Sequence, residues 1–295
     1  SERSLPNTKE NDIFKKLLLT DEEWKTSVEY AQKKNMFVFA DVYGDESFKL
    51  AQTLKVDGYK IHAEDTLNTN LIKNVIKTNK IVLISVGASH RVEIKSLLEE
   101  LKKNNQIHNV ILMPGIQTFP TPLEGHSITE VSDLINKYSS YGVKVGFADH
   151  IEGGAESSFI LPLMALSAGA VLIEKHFTTD RKLSNQIPDA DHDISIEPKE
   201  LNELKSFCEA VPLMHGKAPR NITSGEKKGR TTFRRGLYTK KPVKAGEKVS
   251  LENTVFLRPV KGIAANQWLD VCGKSFLREM DSLEAIGISD LDLKR

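Results

Sequence analysis

The chain has 295 residues, long enough for one large domain and one small one, and its 41 basic and 40 acidic side chains leave a formal net charge of +1. With the two signs interspersed, a polyanion-binding surface is not indicated, and nucleic acid is not an expected partner. No apolar run reaches the roughly 18 residues needed to span a bilayer, no signal-peptide pattern is read, and the two cysteines, Cys208 and Cys272, stand far apart, so a reduced cytoplasmic enzyme is expected.

In chain order, 17–34 reads as a helix. Thr20 can cap it, Glu23 stands three residues on as a capping-box partner, and Trp24, Val28 and Ala31 recur on one face. Apolar runs follow at 36–42, 59–63, 81–86, 110–113, 143–148 and 171–174. Helical stretches at 46–54, 69–78, 91–103, 128–138 and 157–167 separate them, and a further helix is predicted over 199–209. Continuous apolar runs separated by helices signal a parallel sheet covered by helices, and their regular spacing favours a (β/α) TIM-type barrel over an open sheet. About six strand–helix units are read where such a barrel has eight, so the pattern expects two more ahead of Ser1.

The barrel is expected over 1–218, a polar, glycine-containing linker over 219–230, and a compact, mostly β module over 231–295. Within that module 234–239 is strand-like, 242–247 a turn and 251–257 another short element.

Two of the strand-like runs end in a histidine, His150 and His176, and the segment 155–170 between them reads as a helix. A strand–helix–strand crossover makes the two strands parallel, so both histidines sit at carboxyl ends on the same side of the sheet. Neighbouring strands lie about 5 Å apart, so the imidazoles can share one divalent metal. A histidine pair completed by carboxylate or water suits Mn, Mg or Fe better than a closed structural zinc site. The plainer alternative is that each is an ordinary hydrogen-bonded residue at a strand end.

The other strand ends supply Asp41 and Tyr43, Lys60 with His62, Glu64 and Asp65, Ser85 and Gly87, Gln117, Asp149, and Lys175. The loop 189–193 adds Asp191 and His192. Lys60 lies inside a strand, where a cation needs an anion to meet it: Glu64 or Asp65 from its own loop, or the phosphate or carboxylate of a ligand. Asp191 and His192 belong to a solvated loop or clamp a sugar hydroxyl or an aldehyde.

Several of these stretches together resemble the sialic acid (N-acetylneuraminate) synthases and their NeuB-like relatives for other nine-carbon sugar acids. Gly146-Phe147-Ala148-Asp149-His150 is similar to the family's G-Y-S-D-H, and Glu174-Lys175-His176-Phe177-Thr178 matches E-K-H-F-T. Asp191-His192-Asp193-Ile194-Ser195-Ile196-Glu197-Pro198 is like D-H-x-x-S-x-E-P, and Phe119-Pro120-Thr121-Pro122-Leu123-Glu124 is like Y-P-T-P-L-E. The tail from Arg234 through Gly273 resembles the family's antifreeze-like (SAF) domain.

The resemblance implies condensation of phosphoenolpyruvate with an N-acetylated hexosamine such as N-acetylmannosamine, with release of phosphate. It implies Mn or Mg on His150 and His176, Lys60 on the phosphoenolpyruvate anion, Asp191 on a sugar hydroxyl, and Arg234 or Arg235 reaching into a partner's barrel in a domain-swapped homodimer. Asp149, His192, Gln117, Ser85 and Asp41 complete the expected site. The family's S-T-P-F is here Ala40-Asp41-Val42-Tyr43, the serine of K-I-x-S is Ala63, the serine before D-H is Ala148, and Gln117 with Pro114-Gly115 replaces an asparagine and His-Cys. Each lost donor to a charged group costs about 1.5–3 kcal/mol, and Asp41 places a negative charge where a phosphate would be repelled. Two other readings stand beside this one: a barrel of the same family acting on a different carbonyl or anionic substrate, and a non-catalytic sugar-binding homologue.

Overall fold

The computed structural model describes residues 8, 15, 17–103, 107–185 and 191–293. It divides into two compact units, Ser1–Gly216 and Lys217–Arg295.

In the first unit strands and helices alternate: α1 (Asp21–Lys33), β1 (Phe39–Val42), α2 (Asp45–Thr53), β2 (Gly58–Ile61), α3 (Thr69–Ile76), β3 (Ile81–Ser85), α4 (Arg91–Lys103), β4 (Val110–Met113), α5 (Thr129–Tyr138), β5 (Lys144–Val145), β6 (Phe147–Ala148), α6 (Ser157–Ser167), β7 (Ile173–Glu174) and α7 (Pro198–His215). β1 to β5 pair in parallel in chain order, and β6 pairs in parallel with β7.

The run expected at 143–148 is divided into β5 and β6 at Gly146. There the Gly146 N–H donates to the Leu112 carbonyl on the β4 side (2.8 Å), and the next N–H, of Phe147, donates to the Leu172 carbonyl on the β7 side (2.9 Å). A Cβ at Gly146 would stand 2.4 Å from Met113 Sδ, so the close approach requires glycine.

Side-chain alternation separates the two faces of this sheet. Tyr59, Ile61, Val82, Ile84, Val110, Leu112, Val145 and Phe147 are buried in one cluster with helix residues such as Leu71, Ile94, Leu98, Leu134 and Leu161. The intervening Leu83, Ile111, Met113 and Ala148 form a separate cluster with Phe39 and Leu172. Chain-order parallel pairing with the helices on one face is the winding of a (β/α) sheet that curls toward a barrel, not of a doubly wound sheet.

The capping box of α1 is present as expected: the Thr20 hydroxyl accepts from the Glu23 N–H at 3.3 Å, and Glu23 returns the bond to the Thr20 N–H at 2.7 Å. That cap starts the helix at Asp21 and leaves Leu17, Leu18 and Leu19 ahead of it and exposed. Trp24, expected beside Val28 on the inner face, is also exposed; Val28 is buried. α7 runs beyond the expected 199–209 in both directions because Pro198 opens it, Glu197 and Glu200 cap it, and it continues past Pro212.

The second unit contains α8 (Ser224–Phe233), β8 (Gly236–Thr239), β9 (Thr254–Leu257), α9 (Trp268–Val271), β10 (Ser275–Phe276) and β11 (Leu291–Asp292). β8 pairs antiparallel with β9 and β10 with β11, around a core of Leu237, Val243, Val249, Ile263, Phe276, Met280, Ile286 and Leu291. Two expectations are corrected here. Much of the linker read at 219–230 is helix α8, nucleated by a capping box between Thr223 and Glu226. The strand read at 234–239 begins only at Gly236, because the Arg234 N–H still bonds back to Arg230 at the end of α8.

Candidate functional site

The parallel register of β6 and β7 aligns Phe147 with Ile173 and Ala148 with Glu174. Two residues further along each strand stand His150 and His176, with ring centroids 5.2 Å apart and planes inclined at 58°. The Nδ1 of His150 lies 2.7 Å from the Ile116 carbonyl oxygen. A carbonyl only accepts, so Nδ1 carries the proton and Nε2 keeps its lone pair. Phe119 packs edge-on against this ring, with centroids 4.4 Å apart. Burial pushes the His150 pKa down to about 4 and lowers that of His176 as well, against the pull of Asp191. Both rings are therefore neutral near pH 7, the form in which imidazole binds a metal. Among the described residues no group of three His, Cys, Asp or Glu side chains is arranged to hold a metal by itself. A cation held by this pair would take its remaining ligands from substrate or water.

Asp149 and Lys175 precede the two histidines and, by alternation, belong to the opposite side of their strands. Their side chains meet at 2.6 Å in a pair that is 0% and 5% exposed. Burial raises the Asp149 pKa, with Lys175 opposing it. Asp149, expected among the catalytic groups, is thus placed against Lys175 as a cross-strand tie directly beneath the imidazoles.

A second cluster stands on the face that also carries the histidines. Lys60 Nζ is 2.8 Å from Glu174 Oε1 and 3.4 Å from Asp41 Oδ2. Asp41 and Lys60 are register partners on β1 and β2, while Glu174 comes from β7, two residues before His176. Burial works against the Lys60 ammonium, but Glu174 and Asp41 outweigh it and hold its pKa above the ordinary lysine value. Burial raises the Asp41 pKa despite Lys60, and Asp41 Oδ1 is buried with no hydrogen-bond partner among the described residues. The Tyr43 hydroxyl reaches the other oxygen, Oδ2, at 3.3 Å. The local partners expected for Lys60 are engaged elsewhere: Glu64 stands beside His62 at 3.8 Å, and Asp65 accepts from Asn68 at 2.9 Å.

Asp191 Oδ2 lies 4.0 Å from His176 Nδ1, held there by a left-handed backbone (φ 57°) and by the Ser195 hydroxyl on its carbonyl at 2.7 Å. His192 Nδ1 meets the Thr178 hydroxyl at 2.9 Å, and Asp189 of the same loop lies outside the described residues. Gln117 Nε2 is 3.5 Å from the Gly115 carbonyl, beside Gly87. Ser85 is buried at the end of β3, and its carbonyl accepts from the Thr66 hydroxyl at 2.7 Å. Arg234 and Arg235 belong to the second unit, where both are exposed and precede β8. Strand register therefore does not choose between them.

Glu174 is the residue that sequence reasoning left out of the site. Its signal was available in the alternation that puts it on the same side as His176 and Lys60, but pairing partners 114 positions apart are not visible without the fold.

The sequence model of the NeuB family matches residues 2–219. The chain is similar to the N,N'-diacetyllegionaminic acid synthase of Campylobacter jejuni, 29% identical over 89% of this chain and 75% of that protein. It is 28% identical to an uncharacterized protein of Methanocaldococcus jannaschii, over 95% of this chain and 79% of that one. Among solved structures it is similar to the N-acetylneuraminic acid synthetase of Leptospira borgpetersenii in complex with citrate, with TM-score 0.68 and 27% identity, covering 77% of this chain and 75% of that chain.

Proposed function

The chain belongs to the NeuB family, and from that premise we propose that it is a nonulosonic acid synthase joining phosphoenolpyruvate to an N-acetylated hexosamine. In this reaction C3 of phosphoenolpyruvate forms a bond to the aldehyde carbon of the open-chain sugar. Water adds at C2, the C2–oxygen bond to the phosphoryl group is replaced, and inorganic phosphate leaves.

The observation that carries this reading is the pair of neutral imidazoles beside the Lys60–Glu174–Asp41 cluster on one face. His150, with Nε2 unprotonated, and His176 suit a divalent cation, Mn or Mg, which when bound supplies Lewis acidity at the sugar's aldehyde oxygen. Lys60 would meet the anionic end of phosphoenolpyruvate while Glu174 holds its ammonium in place. Asp191 and His192 would take sugar hydroxyls, and Gln117 and Ser85 line the approach as hydrogen-bonding groups. Asp149, tied to Lys175, keeps the two strand ends and their imidazoles in register.

On the family pattern the barrel is completed by units outside the described sheet. The second unit then acts as an SAF-type module whose Arg234 or Arg235 contacts the N-acetyl group in the partner of a domain-swapped homodimer. No described helix is long and apolar enough to cross a membrane, which agrees with work in the cytoplasm. A second reading, a different anionic or carbonyl substrate in the same site, is favoured by one specific observation: the Lys60 ammonium is already held by two carboxylates.

The test is phosphate release with Mn, phosphoenolpyruvate and a panel of N-acetylhexosamines and their deoxy relatives. Release that depends on one sugar is expected and identifies the acceptor. Metal binding without release under any sugar would overturn the synthase reading in favour of the second.

A further inference from the structure

Three segments that follow the strand ends are joined by one guanidinium. Arg181, in the chain after β7, grips the first turn of α7: both its terminal nitrogens donate to the Glu200 carboxylate, with Nη2 2.9 Å from Oε1. Its backbone N–H donates to Glu197 Oε1 at 3.0 Å, and Glu200 in turn caps the helix by accepting from the Glu197 N–H at 2.8 Å. The same Nη1 also donates to the Ser195 carbonyl at 3.3 Å. Ser195 is buried; its N–H donates to the His192 carbonyl at 3.1 Å and its hydroxyl to the Asp191 carbonyl at 2.7 Å. A chain of contacts thus runs from α7 through Arg181 and Ser195 to Asp191, whose Oδ2 stands 4.0 Å from His176 Nδ1.

The loop between β6 and α6 lies against the same group. The Gly153 N–H donates to the Asp193 carbonyl at 2.7 Å. A Cβ at Gly153 would stand 2.0 Å from the Ser195 carbonyl oxygen, and one at Gly154 (φ 82°) 2.9 Å from Arg181 Nη2, so this close approach requires glycine at both positions. A planar fork meets a carboxylate and a carbonyl at once, which a lysine ammonium does not reproduce in the same geometry.

We propose that Arg181 is a positioning residue of the site: by tying Ser195 to the first turn of α7 it sets where Asp191 and His192 stand beside His176. The use of those two residues on sugar hydroxyls rests on the synthase reading, whereas the placement of the segment does not.

The test is amide hydrogen exchange on the full chain, Arg181→Gln and Arg181→Lys, with steady-state kinetics on the same three proteins. In Arg181→Gln the hydrogen-bonded amides of Gly153, Ser195 and Ile196 are expected to exchange about tenfold faster, with β3 and β4 unchanged, and Arg181→Lys to fall between the two. The KM for the N-acetylhexosamine that supports phosphate release is expected to rise about tenfold in Arg181→Gln and to be partly restored in Arg181→Lys, with that for phosphoenolpyruvate and kcat moving less than about threefold. Unchanged exchange at those amides, acceleration spread through the first unit in both variants, or an unmoved sugar KM overturns the proposal. Absence of sugar-dependent release by the parent chain defeats the synthase reading instead, and the exchange result then decides the role of Arg181 by itself.

Discussion

Two clusters at the strand ends are built on different principles. At the ends of β6 and β7 one ammonium meets one carboxylate: Lys175 meets Asp149 Oδ1 in a buried pair, with Asp149 Oδ2 left without a hydrogen-bond partner among the described residues, the two imidazoles are neutral, and a backbone carbonyl fixes the tautomer of His150. At the ends of β1 and β2 one ammonium stands between two carboxylates, with an acceptor oxygen left over, and the side chains are 20% to 26% exposed. The first arrangement is rigid before any ligand arrives and suits a ligand that must be held in one place. The second carries one carboxylate more than its ammonium and is partly open to solvent, so its charge balance is the one that a bound group would change.

The largest way to break this contrast is to remove the buried partner at the first cluster. Lys175→Met leaves Asp149 uncompensated and is expected to cost about 3–5 kcal/mol of stability, read by urea unfolding. Combining it with Asp149→Asn should recover most of that loss, since the penalty comes from the lone charge rather than from the missing contact. A single variant as stable as the parent would show that the tie does not hold the strand ends. The smallest effect belongs to the second cluster. Tyr43→Phe removes one hydrogen bond to a partly exposed carboxylate and should cost no more than about 0.5–1.5 kcal/mol. A loss as large as that of Lys175→Met would mean that the two clusters do not differ in rigidity.

Much of the fold was legible because periodicity reports burial directly. The strand at 110–113 and the helices at 91–103 and 157–167 stand where the hydrophobic pattern puts them. The histidine pair was legible too, since a parallel crossover makes equivalent strand positions neighbours. What escaped depends on direction rather than on position. Asp149 is adjacent to His150 in sequence, but strand alternation sends its carboxylate to Lys175. For Lys60 the sequence offers Glu64 or Asp65 of its own loop or a ligand's anion, whereas the fold supplies Glu174 from a distant strand. Helix α8 was read as linker because its glycines and charges hide the capping box at Thr223 and Glu226. Trp24 follows the helical period of its face but stays 42% exposed.

The central claim is that His150 and His176 form one metal-binding site. Its most direct test is titration of Mn into the metal-free protein, followed by electron paramagnetic resonance, for the parent chain, His150→Ala and His176→Ala. The account predicts one Mn per chain in the parent and an affinity at least a hundredfold weaker in either variant, with the fold unchanged by circular dichroism. Mn bound with parental affinity after loss of either imidazole would contradict it.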